Sequence, residues 1–224
     1  MGKTKEELIE ESKRYMVKKP EDYNFWREAC QFMLMKWVYN AYIHLFYKVK
    51  IYGKENLPKK NNYIVVANHL STLDPTLIAT FLPNPVSFMA KRELFEIRGM
   101  RTLLDCMGTF AVDREHVGSS TIRTAKSISQ TKNWVLGLFP QGTRQPAGQI
   151  TRVTKGFVGF AKSTRCNLLP IGIVGTENKS KKLFAGNIVV KIGKVIENSG
   201  DTEKMFKEWT KSIQELTGFE YIPE

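Results

Sequence analysis

Apolar and polar positions follow two rhythms along the chain, and the change between them falls near residue 50. From Tyr23 to about Val49 apolar and aromatic residues are dense, while Lys36, Asn40, His44 and Lys48 recur at four-residue intervals and so mark one narrow stripe of a helix. Leu34, Met35, Val38, Tyr39, Ala41, Tyr42, Leu45 and Phe46 fill the opposite side. Ahead of this stretch, Lys3 to Lys18 reads as a charged helix with a sparse apolar face, and Pro20 stops it. Beyond residue 50 short β-rich runs alternate with helical stretches, the signature of an α/β domain. Strands are predicted at Lys48–Tyr52, Tyr63–Ala67, Val86–Ala90, Thr109–Val112, Trp134–Phe139, Asn167–Val174 and Asn187–Ile192. Helices are predicted at Pro75–Phe81, Ile97–Cys106, Ser119–Thr131, Val153–Thr164 and Thr202–Leu216.

This rhythm divides the chain into residues 1–50, a two-helix motif, and residues 51–224, an α/β domain. A membrane-spanning helix wants about 20 predominantly apolar residues, whereas the 23–49 stretch carries a polar seam, with Trp26, Trp37 and several tyrosines suited to the headgroup zone. It is expected to lie in the interface rather than cross it. Packing of the same apolar face on the α/β domain is the competing reading.

Charge sharpens this picture. Thirty-four Lys and Arg against 22 Asp and Glu leave +12, which favours polyanionic partners such as anionic phospholipid or an acidic carrier. No zinc-finger spacing, RNP1-like segment or basic heptads are present, so nucleic acid is not expected as a partner. Cys30, Cys106 and Cys166 are far apart and lack CxxC spacing, so neither a disulfide framework nor a zinc site is expected, and a reducing compartment follows. The N-terminus shows neither the apolar core of a signal peptide nor a myristoylation signal.

Candidate chemistry begins at His69, which directly follows the apolar run Ile64–Ala67. That places it at a strand's carboxyl end, where open α/β sheets hold their ligands. Asp74, five residues on, can fold back to accept the imidazole N–H and so make His69 a general base with its orienter. Helix entry, with Asp74-Pro75 as cap and first turn, is the plainer account of the same residues. His44 belongs to the polar stripe and His116 to a charged connector. No G-x-S-x-G, H-E-x-x-H or cysteine beside a histidine offers a covalent nucleophile or metal site, which leaves the substrate's own alcohol as the attacking group. Three further segments stand out. Phe139-Pro140-Gln141-Gly142-Thr143-Arg144 offers a sharp turn with a guanidinium fork matched to phosphate, Gly108 to Arg114 is a glycine-started strand ending in Asp113-Arg114, and Lys91-Arg92 puts cations past another strand. A surface turn, a structural ion pair and a solvated face are their ordinary readings.

Taken together, these segments resemble the glycerolipid acyltransferase family, and most of all its bacterial 1-acyl-glycerol-3-phosphate (lysophosphatidate) acyltransferases. Asn68 to Pro75 is similar to the family's N-H-x-x-x-x-D-P block, Gly108 to Arg114 to its second, Phe139 to Arg144 to its third, and Leu169 to Ile173 to its fourth. The implied fold is a mixed, largely parallel central sheet flanked by helices, with residues 1–50 as a membrane-binding appendage. The implied activity moves a fatty acyl group from acyl carrier protein or coenzyme A to the sn-2 hydroxyl of lysophosphatidic acid, giving phosphatidic acid without an acyl-enzyme or any cofactor or metal. His69 and Asp74 are the implied catalytic pair, and Arg144, with Gly142 and Thr143, the implied phosphate-binding group. By position Arg114 and Lys91 are further phosphate ligands. The implied location is the cytoplasmic face of the cell membrane, in monotopic association. A different acceptor, glycerol 3-phosphate or another lysophospholipid, is the alternative within the family, and a non-catalytic basic membrane-binding protein the alternative outside it. One position departs from the pattern: Gln141 stands where the family has Glu, so the negative charge is absent while a hydrogen-bonding carbonyl is kept.

Overall fold

A computed structural model describes residues 4–113, 118–178 and 183–223. Thr4 opens helix α1 (Lys5–Lys13) with a capping box, its hydroxyl accepting the Glu7 N–H while the Glu7 carboxylate accepts the Thr4 N–H. Asn24 caps α2 (Phe25–Phe32), which runs on through a π-helical segment (Met33–Tyr39) into α3 (Asn40–Phe46). At Tyr47 the backbone turns extended and β1 (Tyr47–Tyr52) begins, so the helix stops short of Val49. There follow β2 (Tyr63–Ala67), α4 (Asp74–Phe81), β3 (Val86–Lys91), α5 (Arg98–Cys106), β4 (Phe110–Val112), α6 (Ser119–Ser129) and β5 (Val135–Leu138). The chain continues with β6 (Gln149–Ile150), α7 (Gly156–Thr164), β7 (Asn167–Val174), β8 (Gly186–Ile192), α8 (Thr202–Thr217) and β9 (Glu220–Tyr221). The two-residue β6 and β9, paired with each other, carry no recognisable sequence pattern.

Seven strands form one sheet in the order β1-β8-β7-β2-β5-β3-β4, parallel throughout except where β7 meets β8. This is the mixed, largely parallel sheet that was expected. All five residues of β2 are buried, with β7 and β5 on either side. Its alternate side chains feed two cores, as a period of two dictates. Ile64 and Val66 join Phe157, Trp209 and Ile213, while Val65 and Ala67 join Met35, Ile43, Leu77 and Ile78. Each of the larger side chains buried there contributes about 1.5–3 kcal/mol, so both helical layers are held by apolar burial. Residue 50 lies inside β1, and Met35 and Ile43 of the helical segment share the second core with the sheet.

Two sequence expectations are corrected here. Cys30 and Cys106 form a disulfide, with Cα atoms 6.2 Å apart, because α2 and α5 pack side by side although 76 residues separate the cysteines. Cys166 alone remains a free thiol, and it is buried. The disulfide ends a polar clamp: Glu11 pairs with Arg101 at 2.6 Å, and both Lys18 and Arg27 pair with Asp105. The second correction concerns the four-residue stripe. The π-helical turn takes one extra residue, which rotates the helix face, so Lys36 points inward and donates to the carbonyls of Thr80 and Leu82 at the end of α4. The outward side is instead apolar, with Phe25, Phe32, Met33 and Val38 exposed, Trp26 at 77% and Trp37 at 71%. Among the described residues no helix is long and apolar enough to cross a membrane.

Candidate active site

His69 and Asp74 occupy the turn between β2 and α4, and the sequence around them leaves little freedom. Asn68 closes β2 by clamping β7: its amide donates to the Ile173 carbonyl and its own carbonyl accepts the Ile173 N–H, both at 2.8 Å. The turn then winds around Asp74. One carboxylate oxygen accepts the Leu70 N–H and the Ser71 N–H, each at 2.7 Å, and the His69 Nδ1–H at 2.8 Å. The other accepts the Thr176 hydroxyl at 2.6 Å. Four donors thus fix a fully buried carboxylate. A carboxylate can only accept, so Nδ1 carries a ring proton, and in the neutral imidazole Nε2 is the nitrogen with the lone pair. Nε2 has no protein partner among the described residues.

The imidazole is also held by its face. Its ring stacks on Phe139 at 4.2 Å and 22°, and Phe139 stacks on Phe88 at 5.5 Å. Gly137 makes room for this column, since a Cβ there would lie 2.4 Å from the Phe88 ring. Gly108 has a similar reason for being glycine: it sits at φ +72°, and a Cβ would meet the Trp134 indole at 2.4 Å.

The loop after β5 meets the His69 turn through the backbone. The Gln141 carbonyl accepts the His69 N–H at 2.8 Å, and the Gln145 N–H donates to the His69 carbonyl at 2.8 Å. Gly142 takes φ +67°, closing a turn in which its N–H reaches the Phe139 carbonyl at 3.0 Å. Gly142, Thr143 and Arg144 are all exposed, and Arg144 has no ion-pair partner among the described residues, so its guanidinium faces solvent beside the His69 turn. Thr143 is not idle, since its hydroxyl accepts the Gln145 amide at 3.0 Å.

Lys91 ends β3 on the surface and pairs with Glu93 at 3.2 Å, and among the described residues it makes no hydrogen bond or ion pair with His69 or Arg144. In register it lies opposite Val112 of β4, two residues before Arg114. Arg114 itself lies outside the described residues. Among the described residues the site shows no activated nucleophile on the protein. The Ser71 hydroxyl is buried and accepts the Leu73 N–H, and burial pushes the Cys166 thiol up, opposite to what an attacking thiolate requires. Nε2 of His69 is the imidazole nitrogen left open to an external donor.

Residues 48–174, more than half of the chain, match the family model described as Acyltransferase. The chain belongs to the acyltransferase family. Its relatives include the 1-acyl-sn-glycerol-3-phosphate acyltransferase of Borreliella burgdorferi, 31% identical over 147 residues that make up 65% of this chain and 57% of that protein. The enzyme of the same name from Bacillus subtilis is 29% identical over 168 residues, 75% of this chain and 83% of its own. The chain therefore spans little more than half of the first relative and most of the second. The crystal structure of the 1-acyl-sn-glycerophosphate (LPA) acyltransferase from Thermotoga maritima is similar in fold, with a TM-score of 0.65 at 25% identity across 94% of this chain and 88% of that one.

In this acyltransferase two groups at the site were missed from sequence. Thr176 follows the fourth block by a few residues, and only the sheet brings it to Asp74. Asn68 was read as part of a motif, whereas its work is to fasten β2 to β7. Gln141 resolves the departure noted above. At 4% exposure its carbonyl does the hydrogen bonding that a Glu oxygen would do toward the His69 N–H, while its Nε2 is buried with no partner among the described residues.

Proposed function

We propose that this acyltransferase esterifies the sn-2 hydroxyl of 1-acyl-glycerol 3-phosphate with an acyl group from acyl carrier protein or acyl-coenzyme A, producing phosphatidic acid. The observation that carries the reading is the Asp74-held His69, whose open Nε2 faces no protein nucleophile. The acceptor hydroxyl attacks the thioester carbonyl and its proton passes to Nε2. Collapse of the tetrahedral intermediate breaks the C–S bond, and the departing thiolate takes the proton back. A positioned base of this kind contributes on the order of 10²–10⁴-fold. The exposed guanidinium of Arg144, beside the His69 turn, supplies a planar fork for the acceptor's phosphate.

The acceptor and product are lipids, so the site works at a bilayer surface. The exposed aromatic face of α2, the π-helical segment and α3 suits insertion among headgroups, and a surplus of twelve positive charges favours anionic lipid. The reading places the enzyme in monotopic association at the cytoplasmic face. Because Met35 and Ile43 belong to the core, residues 1–50 cannot be deleted without unfolding the sheet's partner layer, and point changes are the proper probe. A double Trp26→Ser, Trp37→Ser variant is expected to lose binding to vesicles containing anionic lipid while remaining folded, and undiminished cosedimentation refutes the membrane assignment. For the chemistry, mass-spectrometric detection of acyl transfer with a panel of lysolipids, glycerol 3-phosphate and both donors is the test. Transfer to lysophosphatidate by the intact enzyme and none by His69→Ala is the expected result, and a fully active His69→Ala removes the mechanism.

A further inference from the structure

We propose that the protein holds a second lipid site, a groove at the end of the sheet opposite His69 that takes a single-chain amphiphile with an anionic headgroup. A cavity of about 460 Å³ lies between α2, the π-helical turn and the segment leading from α4 into β3, within the range of small-molecule sites. Ala29, Phe32, Ala79, Leu82 and Pro85 line it. Pro85 and Asn133 precede β3 and β5, whereas His69 and Gln141 follow β2 and β5, so the groove and the acyltransferase site lie at opposite ends of the parallel strands. The eight-residue α4 runs between them, with Asp74 at its first turn and the groove at its last, about 12 Å along the axis.

Among the described residues Lys36 is the one cation that lines the groove, beside the polar Glu28, Gln31, Asn84 and Asn133. An ammonium has three donors. Two are spent on the Thr80 and Leu82 carbonyls, and the third has no partner among the described residues, where no acid pairs with this lysine either. Burial pushes the Lys36 ammonium down from its ordinary value, and an anion beside it would offset that loss. Glu28, the acid that also lines the cavity, is engaged by the Asn133 amide at 2.9 and 3.2 Å and lies two helical turns from Lys36. A carboxylate or phosphate at Lys36 would leave the hydrocarbon against Ala29 and Phe32, with Phe25 at the rim. Phe25 and Phe32 belong to the exposed face that carries Trp26 and Trp37, so a ligand can enter sideways from a bilayer. That last step rests on the membrane reading, while the cavity and its unpaired cation do not.

The test is photolabelling of the full-length protein with a diazirine-bearing palmitate, with labelled peptides mapped by mass spectrometry. Labelling within residues 25–36 and 79–85 is expected, displaced by laurate or dodecyl phosphate and not by dodecyl maltoside. Whichever of the two anions displaces at lower concentration identifies carboxylate or phosphate as the headgroup. Lys36→Met is expected to weaken both anionic competitors by about tenfold, and Ala29→Trp, which fills the groove from a half-exposed position, to cut labelling by about as much. The proposal is overturned by label confined to residues 139–144, by displacement with saturating acyl-coenzyme A, which would put the donor's own chain in the groove, or by undiminished labelling of a folded Ala29→Trp. Vesicle binding measured alongside separates the two readings: a protein that takes the label but ignores vesicles keeps the groove and loses the membrane surface.

Discussion

The imidazole of His69 lies nearly flat on the ring of Phe139, with centroids 4.2 Å apart. Asp74 fixes one edge of the same ring at 2.8 Å, so rotation and tilt are both restrained before substrate arrives. Preorganisation of this kind contributes to rate without any contact to substrate. Phe139→Leu is expected to lower kcat about tenfold, some 1.4 kcal/mol in barrier, with little change in KM for lysophosphatidate. Phe139→Tyr, which keeps the ring face, is expected to retain activity. Equal kcat for Leu and Phe at this position shows the stack to be mere packing.

Thr176 is expected to act through Asp74 alone. Thr176→Val removes the one donor that the described residues place on the second carboxylate oxygen while preserving shape, and a hydrogen bond to a buried charge is worth about 1.5–3 kcal/mol. Both the denaturation midpoint and kcat should fall, and Thr176→Ser should restore both. A Ser variant no better than Val rules out the hydroxyl as the cause.

Gln141 allows a discriminating pair. Gln141→Glu keeps an acceptor for the His69 N–H and is expected to change turnover by less than about tenfold. Gln141→Leu leaves that N–H without its acceptor, at a cost of about 1–3 kcal/mol in stability. A Glu variant more than about tenfold faster, measured at saturating donor and acceptor, contradicts the view that the amide serves this enzyme as well as the acid.

Stability should report the Cys30–Cys106 bridge directly. Closing a loop across 76 residues is worth about 2–4 kcal/mol in typical cases. Cys30→Ser is expected to unfold at lower denaturant and to be indifferent to dithiothreitol, whereas the intact protein drops to the same midpoint once reduced. The bridge also makes the reducing cytosol the demanding part of the location proposed above. Alkylation of whole cells before lysis, followed by mass spectrometry of the peptides containing residues 30 and 106, tells whether the two thiols are joined in place; blocked, unpaired thiols would show that the bridge forms only after extraction.

What the sequence disclosed and what it hid divide along a physical line. β2 and β7 were legible because strands buried on both faces read as continuous apolar runs, and His69 was legible because its motif is local. Contacts that close only across the sheet were hidden. Nothing near residue 30 announces residue 106, and nothing near Asp74 announces Thr176. Lys36 misled for a different reason. A four-residue spacing marks one face only in an α-helix, and the π-helical turn breaks that rule, turning the lysine inward and leaving Trp37 outside. Gln141 was seen as a departure, yet only the geometry shows which half of its amide is occupied.

The order of the chain gives the Asp74 anchorage a temporal meaning. His69 and Asp74 leave the ribosome early, but Asn68 must wait for Ile173, 105 residues later, and Asp74 for Thr176, 102 residues later. A nascent chain therefore carries its base without the partners that hold it. The anchorage closes only when β7 pairs with β2, while β8 and α8 still follow in the chain. The residues that hold Asp74 and Asn68 are thus the last of this cluster to be made.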